Sequence, residues 1–211
     1  MGIHNDIVKL IENLYAGQQA AVRLECGMSD WFSVSKGVRQ GCILSPHLFS
    51  LYTEGIMREV EQDPRKDLYN EPNIQGLKLR DLRYADDTAL LSTTTEGLHQ
   101  LKHSVKKHSE NKGLFLNIKK TKIVHTDRCK RTSNITVDGE KVECLENFEY
   151  LGSKIEGNGK CSNEIKRRTA MAVGQLKKME KIWKGQDKQT KLKIVRACMF
   201  PTAIYGCKGW T

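Results

Sequence analysis

Two adjacent carboxylates, Asp86 and Asp87, close the tetrapeptide Tyr84-Ala85-Asp86-Asp87 inside an apolar stretch running from Leu79 to Leu91. Carboxylates set against a core are costly unless they are paired, hydrogen-bonded or bound to a metal. A strand–turn–strand apex carrying such a pair suits Mg²⁺, which takes oxygen ligands and commonly combines one or two carboxylates with substrate phosphates. Successive strand side chains point to opposite faces, so one Asp is expected to reach the ion and the other to support it. The same tetrapeptide also reads as a plain surface turn, for which Asp is a common residue.

A second candidate is Gly37-Val38-Arg39-Gln40-Gly41. Its glycines let the backbone approach a ligand closely, Arg39 offers a forked donor for phosphate, and Gln40 can pair with a sugar or base edge. The alternative is a strand-to-helix loop whose glycines only shape the turn. Ser45-Pro46 supplies an N-cap and a first helical residue, so a helix is expected from there to about Glu61, with Leu48, Leu51, Tyr52 and Ile56 at periodic positions.

Together and in this order, the two motifs resemble the reverse transcriptase family, specifically its non-LTR retrotransposon branch. Gly113-Leu114-Phe115-Leu116-Asn117-Ile118-Lys119-Lys120-Thr121-Lys122 resembles the family's next palm motif, and Tyr150-Leu151-Gly152 its primer grip. Arg168-Thr169-Ala170 resembles the opening of the thumb, and Ile204-Tyr205-Gly206 with Trp210 resembles its tail. The resemblance spans nearly all of the chain. It implies RNA-directed DNA polymerisation, in which a primer 3′-hydroxyl attacks an incoming deoxynucleotide triphosphate opposite an RNA template. Two Mg²⁺ ions (Mn²⁺ as a substitute) about 3.5–4 Å apart would serve that chemistry, with no organic cofactor. Carried over residue by residue, Asp86 is a metal ligand, Asp87 its partner, and Tyr84 lies near the primer end. Gln40 and Gly41, in the loop with Gly37 and Arg39, line the nucleotide and template pocket. Lys120 offers a proton or charge to the pyrophosphate, its alternative being a solvated lysine. Tyr150, Leu151 and Gly152 position primer backbone, or Tyr150 and Leu151 are simply core. Lys166, Arg167, Arg168, Lys177 and Lys178, on a basic helix near 161–184, hold the heteroduplex through phosphate and sugar contacts.

The same resemblance implies a further catalytic Asp on a palm strand upstream of the glycine-glutamine loop, preceded by a fingers domain. Only 36 residues precede Gly37, and their carboxylates are Asp6, Glu12, Glu25 and Asp30. Asp6 opens the helical stripe Ile3, Ile7, Leu10, Ile11 and Leu14, while Asp30 reads as part of a hairpin turn between 20–25 and 31–35. The fingers and the first catalytic strand are therefore expected to be absent, and the chain to be catalytically incomplete. The alternatives are a non-catalytic nucleic-acid-binding remnant and a truncated product without a stable fold.

The elements that must position these residues follow from periodicity and punctuation. Helices are expected near 3–16, 46–61, 95–112 (capped by Gly113), 161–184 and 188–200. Strands are expected near 19–35 as a hairpin, 76–92 around the Asp pair, 114–125, 134–137 and 141–145 joined through Asp138-Gly139, and 150–155. Asp63-Pro64 to Glu71-Pro72 reads as an exposed loop. The fold class expected is α+β: a partial palm over 1–155, built as an antiparallel sheet with packed helices, then a basic helical thumb over 156–211.

Charge is uneven along the 211 residues. Residues 1–101 hold 10 Lys/Arg against 14 Asp/Glu, a net −4, while 102–211 hold 25 against 11, a net +14. A polyanion along the C-terminal half fits this asymmetry, although Lys102, Lys106 and Lys107 alone read as a solvated helix face. Seven scattered cysteines without a Cys-x-x-Cys fit reduced thiols rather than a zinc site or disulfide framework. No apolar run approaches membrane-spanning length and no signal-peptide core opens the chain, so an intracellular setting, nucleus or cytoplasm, is expected.

Overall fold

The computed structural model describes residues 2–126, 135–137 and 139–210. They group into two units, Met1–Glu54 and Gly55–Thr211.

In the first unit the apolar stripe forms α1 (Asn5–Tyr15), entered through His4, whose Nδ1 accepts from the Asp6 amide. Strands β1 (Gln19–Ala20) and β4 (Phe32–Ser33) pair around an inner ladder of β2 (Arg23–Leu24) and β3 (Gly27–Met28). The turn falls at Glu25-Cys26, because Ser29 fixes the register against Val22 through both its amide and its hydroxyl. Asp30 consequently lies on the returning segment and not in the turn where the sequence pattern put it. Helix α2 (Ser45–Glu61) begins here and continues into the second unit.

The second unit is built on two apolar clusters. Met57 and Val60 of α2 pack with Leu101 and Val105 of α3 (Thr95–Asn111) and with Tyr69, and Leu90 leans on this group. Ile123, Ile135 and Val142 form the other, with Leu98, Ile118 and Cys144 against it. Leu98, Leu101 and Val105 face inward as their spacing predicts, and Gly113, at φ 74°, follows the end of α3. The expected exposed loop at 63–72 holds in part: Pro64, Lys66, Asp67, Leu68 and Asn70 are exposed, but Lys66–Tyr69 is a short 3₁₀ turn and Tyr69 is 0% exposed. Asp63 is buried too, accepting from Ser104 Oγ at 2.7 Å and from Arg65 Nε and Nη2 at 3.1 Å each. Gly97 permits this packing, since a Cβ there would run into the Tyr69 carbonyl.

Strands β5 (Asn73–Ile74) and β6 (Leu77–Lys78) make a first small hairpin, and β7 (Asp81–Tyr84) with β8 (Asp87–Leu90) makes a second. The span 76–92 thus takes in the returning strand of one hairpin and the whole of a second, because Gln75-Gly76 is itself a turn with both residues at positive φ. Strand β9 (Lys122–Val124) is shorter than the expected 114–125, since Asn117 turns the chain by accepting the Lys120 amide on Oδ1 at 3.2 Å. Strands β10 (Thr136–Val137) and β11 (Glu140–Lys141) form the expected hairpin across Gly139, and Asp138 and Cys129 lie outside the described residues. β12 (Glu143–Leu145) pairs with β9 in parallel. The strand expected at 150–155 starts later, as β14 (Ser153–Glu156), paired with β13 (Asn147–Tyr150) across a turn that has Leu151 at φ 49° and Gly152 at φ 76°.

Helices α4 (Ser162–Lys178), α5 (Glu180–Trp183), α6 (Lys188–Ile194), a π-helical turn Val195–Met199, and α7 (Phe200–Ala203) follow. The chain is a mixture of helices and sheet, as the α+β class requires. Among the described residues the strands form two-stranded ladders and not one continuous antiparallel sheet, and β9–β12 is parallel. No described helix is long and apolar enough to cross a membrane.

Candidate functional site

The apex is a two-residue hairpin loop, Ala85-Asp86, and Asp87 opens the strand that leaves it. Register pairs Tyr84 with Asp87, Arg83 with Thr88, Leu82 with Ala89 and Asp81 with Leu90. Tyr84 and Asp87 therefore share one face of the ladder, and the other face carries Leu90 into the core. Ala85 takes φ 51°, the region glycine occupies at little cost and alanine at about 1–2 kcal/mol. Backbone strain at a loop apex is a recurrent mark of functional sites.

The hairpin's three acids are in different electrostatic states. Asp81 is balanced by Arg80 Nε at 3.1 Å and Arg83 Nε at 2.8 Å. Asp86 and Asp87 are exposed, and no ion pair reaches either among the described residues. Oxygen donors left uncompensated at an exposed apex fit a hard divalent cation. They do not complete its shell, since the described residues contain no group of three His, Cys, Asp or Glu side chains able to hold a metal. Tyr84, 67% exposed, flanks the pair.

Tyr150 joins this hairpin to the next motif. Its hydroxyl donates to the Leu82 carbonyl at 3.2 Å, and burial, followed by the Asp87 charge, pushes its phenol above the usual range. The two residues after it make the β13–β14 turn, whose carbonyls are both occupied. Leu151 O accepts from the Tyr205 hydroxyl at 2.8 Å. Gly152 O accepts from Arg167 Nη2 at 2.7 Å and from Arg168 Nη2. Glu164 holds both guanidinium groups, taking Arg167 Nε at 2.7 Å and Arg168 Nε at 2.8 Å. The Arg167 contact first, and Arg168 with it, hold the Glu164 carboxyl at a pKa of about 2 against burial. Arg168 also stacks on Tyr205, 4.4 Å from the ring centre.

Of the cations expected to face nucleic acid, Lys166, Lys177 and Lys178 are exposed on α4. Arg167 and Arg168 are instead committed to Glu164 and Gly152, and Arg168 is only 7% exposed, so the structure gives them an internal holding role. The pattern Glu164-x-x-Arg167-Arg168 carried a legible signal, because residues three and four apart meet on a helix. Leu82 O and Tyr205 as partners carried none. Lys120 is exposed in the Asn117 turn, and no hydrogen bond or ion pair among the described residues joins it to Asp86 or Asp87.

The glycine-glutamine loop belongs to the first unit. Gly37 and Gly41 take φ 95° and 80°, and a Cβ at either would meet open space, so the need there is conformational. Arg39 does not point free: Nη2 donates to Leu14 O at the end of α1, at 2.8 Å, and its guanidinium lies 5.6 Å from the Tyr15 ring centre. The Ser45 hydroxyl, expected as a helix cap, donates to Arg39 O at 2.6 Å. Gln40 stays exposed. Of the upstream carboxylates, Asp6 lies in the first turn of α1 after the His4 cap, and Asp6, Glu12, Glu25 and Asp30 are all exposed.

Comparison with known proteins accords with this arrangement. A transposon-derived protein of Caenorhabditis elegans, described as uncharacterized, is 22% identical over 142 residues, covering 65% of this chain and 51% of that protein. The chain thus spans about half the length of the curated relative it matches. Residues 2–155 match the family described as reverse transcriptase (RNA-dependent DNA polymerase), a span that includes the glycine-glutamine loop, the Asp hairpin and the Tyr150 turn. The chain belongs to the reverse transcriptase family.

Proposed function

We propose that this chain is the palm-and-thumb portion of a non-LTR retrotransposon reverse transcriptase, with 1–155 contributing the palm and 156–211 the thumb. The observation that carries the reading is the strained two-residue apex presenting Asp86 and Asp87 without a compensating cation, beside an Asp81 that is fully ion-paired. The pair fits a divalent ion, Mg²⁺ with Mn²⁺ as a substitute, which when bound stabilises charge on phosphoryl oxygens. The chain's own residues hold Asp87 across from Tyr84, brace the hairpin through Leu90 and Tyr150, and present Lys166, Lys177 and Lys178 to a phosphate backbone. Gln40 and Gly41 serve the nucleotide and template, and Lys120 the departing pyrophosphate. Substrates are an RNA template, a DNA primer and deoxynucleotide triphosphates.

Among the described residues no third His, Cys, Asp or Glu side chain joins the pair, so the reading includes incompleteness as a two-metal centre. Primer extension on a poly-rA template with Mg²⁺ or Mn²⁺ tests both parts. The chain alone is expected to extend poorly. Robust extension that Asp86→Ala abolishes would confirm the pair and overturn the incompleteness. Extension indifferent to both Asp86→Ala and Asp87→Ala would overturn the site.

A further inference from the structure

We infer that Tyr150 is a positioning residue for the Asp87 carboxylate, and that Glu164, Arg168 and Tyr205 set its place from the C-terminal helices. This rests on the reading of Asp86 and Asp87 as metal-binding residues. The hydrogen bond from Tyr150 to Leu82 O is made across 68 residues of sequence, and it lands on β7, the strand that leads into the apex. Leu82 is two residues from Tyr84, the cross-strand partner of Asp87. Tyr150 is also the last residue of β13, so its position is fixed by the turn that follows.

That turn is clamped from three sides. Arg167 and Arg168 of α4 both donate to Gly152 O, and Tyr205 donates to Leu151 O. Gly206 brings the tail in closely, since a Cβ there would lie 2.7 Å from Ser153 Oγ. Glu164, 2% exposed, holds the two arginines in place, and the Arg168–Tyr205 stack joins α4 to the tail. Glu164 and Arg168 form the buried centre of this network, with their charged groups hydrogen-bonded, and Tyr205 closes it at the surface. The charged donors on Gly152 O make it stronger than the neutral bond from Tyr150 to Leu82. The outcome is a continuous lever: α4, turn, Tyr150, β7, Asp87. A shift of α4 on engaging a ligand through its exposed lysines would move the Asp hairpin with it.

Residue-resolved hydrogen exchange on the full chain, together with Mn²⁺-induced broadening of resonances at 86–90, tests the lever. Tyr150→Phe removes one hydroxyl and keeps the ring, and should speed exchange at 82–90 up to about 10-fold while leaving 101–105 in α3 unchanged. It should also weaken Mn²⁺ binding several-fold. Glu164→Gln and Tyr205→Phe should loosen 150–156 and, more weakly, 82–90. Unchanged exchange at 82–90 in Tyr150→Phe, or loosening confined to 150–156 in Glu164→Gln, overturns the lever. Intact Mn²⁺ broadening in both wild type and Tyr150→Phe overturns the positioning role alone. No broadening in the wild type overturns the metal reading instead.

Discussion

Ala85 shows how much chemistry a single backbone angle carries. A two-residue loop that starts at positive φ needs glycine on steric grounds, yet the chain keeps alanine there, at φ 51°. Ala85→Gly should relieve about 1–2 kcal/mol of strain and lose part of that to the greater freedom of glycine in the unfolded chain. A net gain of about 0.5–1 kcal/mol is expected, readable as a higher urea midpoint with an unchanged slope. The sequence identified Asp86 and Asp87 as chemically significant because two acids in an apolar stretch demand a reason. It offered no means of separating them from Asp81, whose charge is spent on Arg80 and Arg83. Arg39 makes the same point: a forked donor beside glycines suggests phosphate, and the fold turns it onto the end of α1.

At the scale of elements, the Glu164 carboxylate ties α4 to the β13–β14 turn, and its pH dependence has a definite sign. Its folded pKa, about 2, lies below the ordinary 4.5, so its stabilisation is fully present above pH 4.5 and is lost as pH falls toward 2. The Arg65 contact draws the Asp63 carboxyl below its usual range too, adding to the same acid limb. Circular dichroism melts from pH 5 to pH 2 should show a falling midpoint, with a shallower fall in Glu164→Gln. Tyr69 tests the other apolar anchor. Its ring is completely buried among Met57, Val60, Leu101 and Val105, so Tyr69→Ala should cost about 3–5 kcal/mol in chemical denaturation. Periodicity exposed α1, α2, α3 and α4 because an amphipathic stripe is local information. Within the loop at 63–72 it missed the burial of Tyr69, since Pro, Asp and Asn mark turns without saying whether an aromatic between them is buried.

For the whole molecule, the +14 charge of residues 102–211 governs how the chain meets a polyanion. Binding to an RNA–DNA heteroduplex should weaken with salt along a log–log slope of several units. Replacing Lys166, Lys177 or Lys178 by alanine should reduce that slope by about 1 each. The same replacement at Arg168 should act chiefly on stability, because that side chain is buried against Glu164 and Tyr205. A titration series over salt, run beside thermal melts, separates the two behaviours.

The order of motifs determined the family, because each motif is a short stretch whose residue types answer a local chemical need. Periodicity determined the helices, and composition the basic C-terminal half. Tertiary structure alone decided which of those residues remain available. Arg168 turns inward to Gly152 O, Leu151-Gly152 forms a clamped turn, and the hydroxyl of Tyr150 meets the Asp hairpin 68 residues away. The physical reason is range: propensity and spacing act over a few residues, whereas a donor's partner is settled by whichever distant carbonyl the packed core brings within about 3 Å of it.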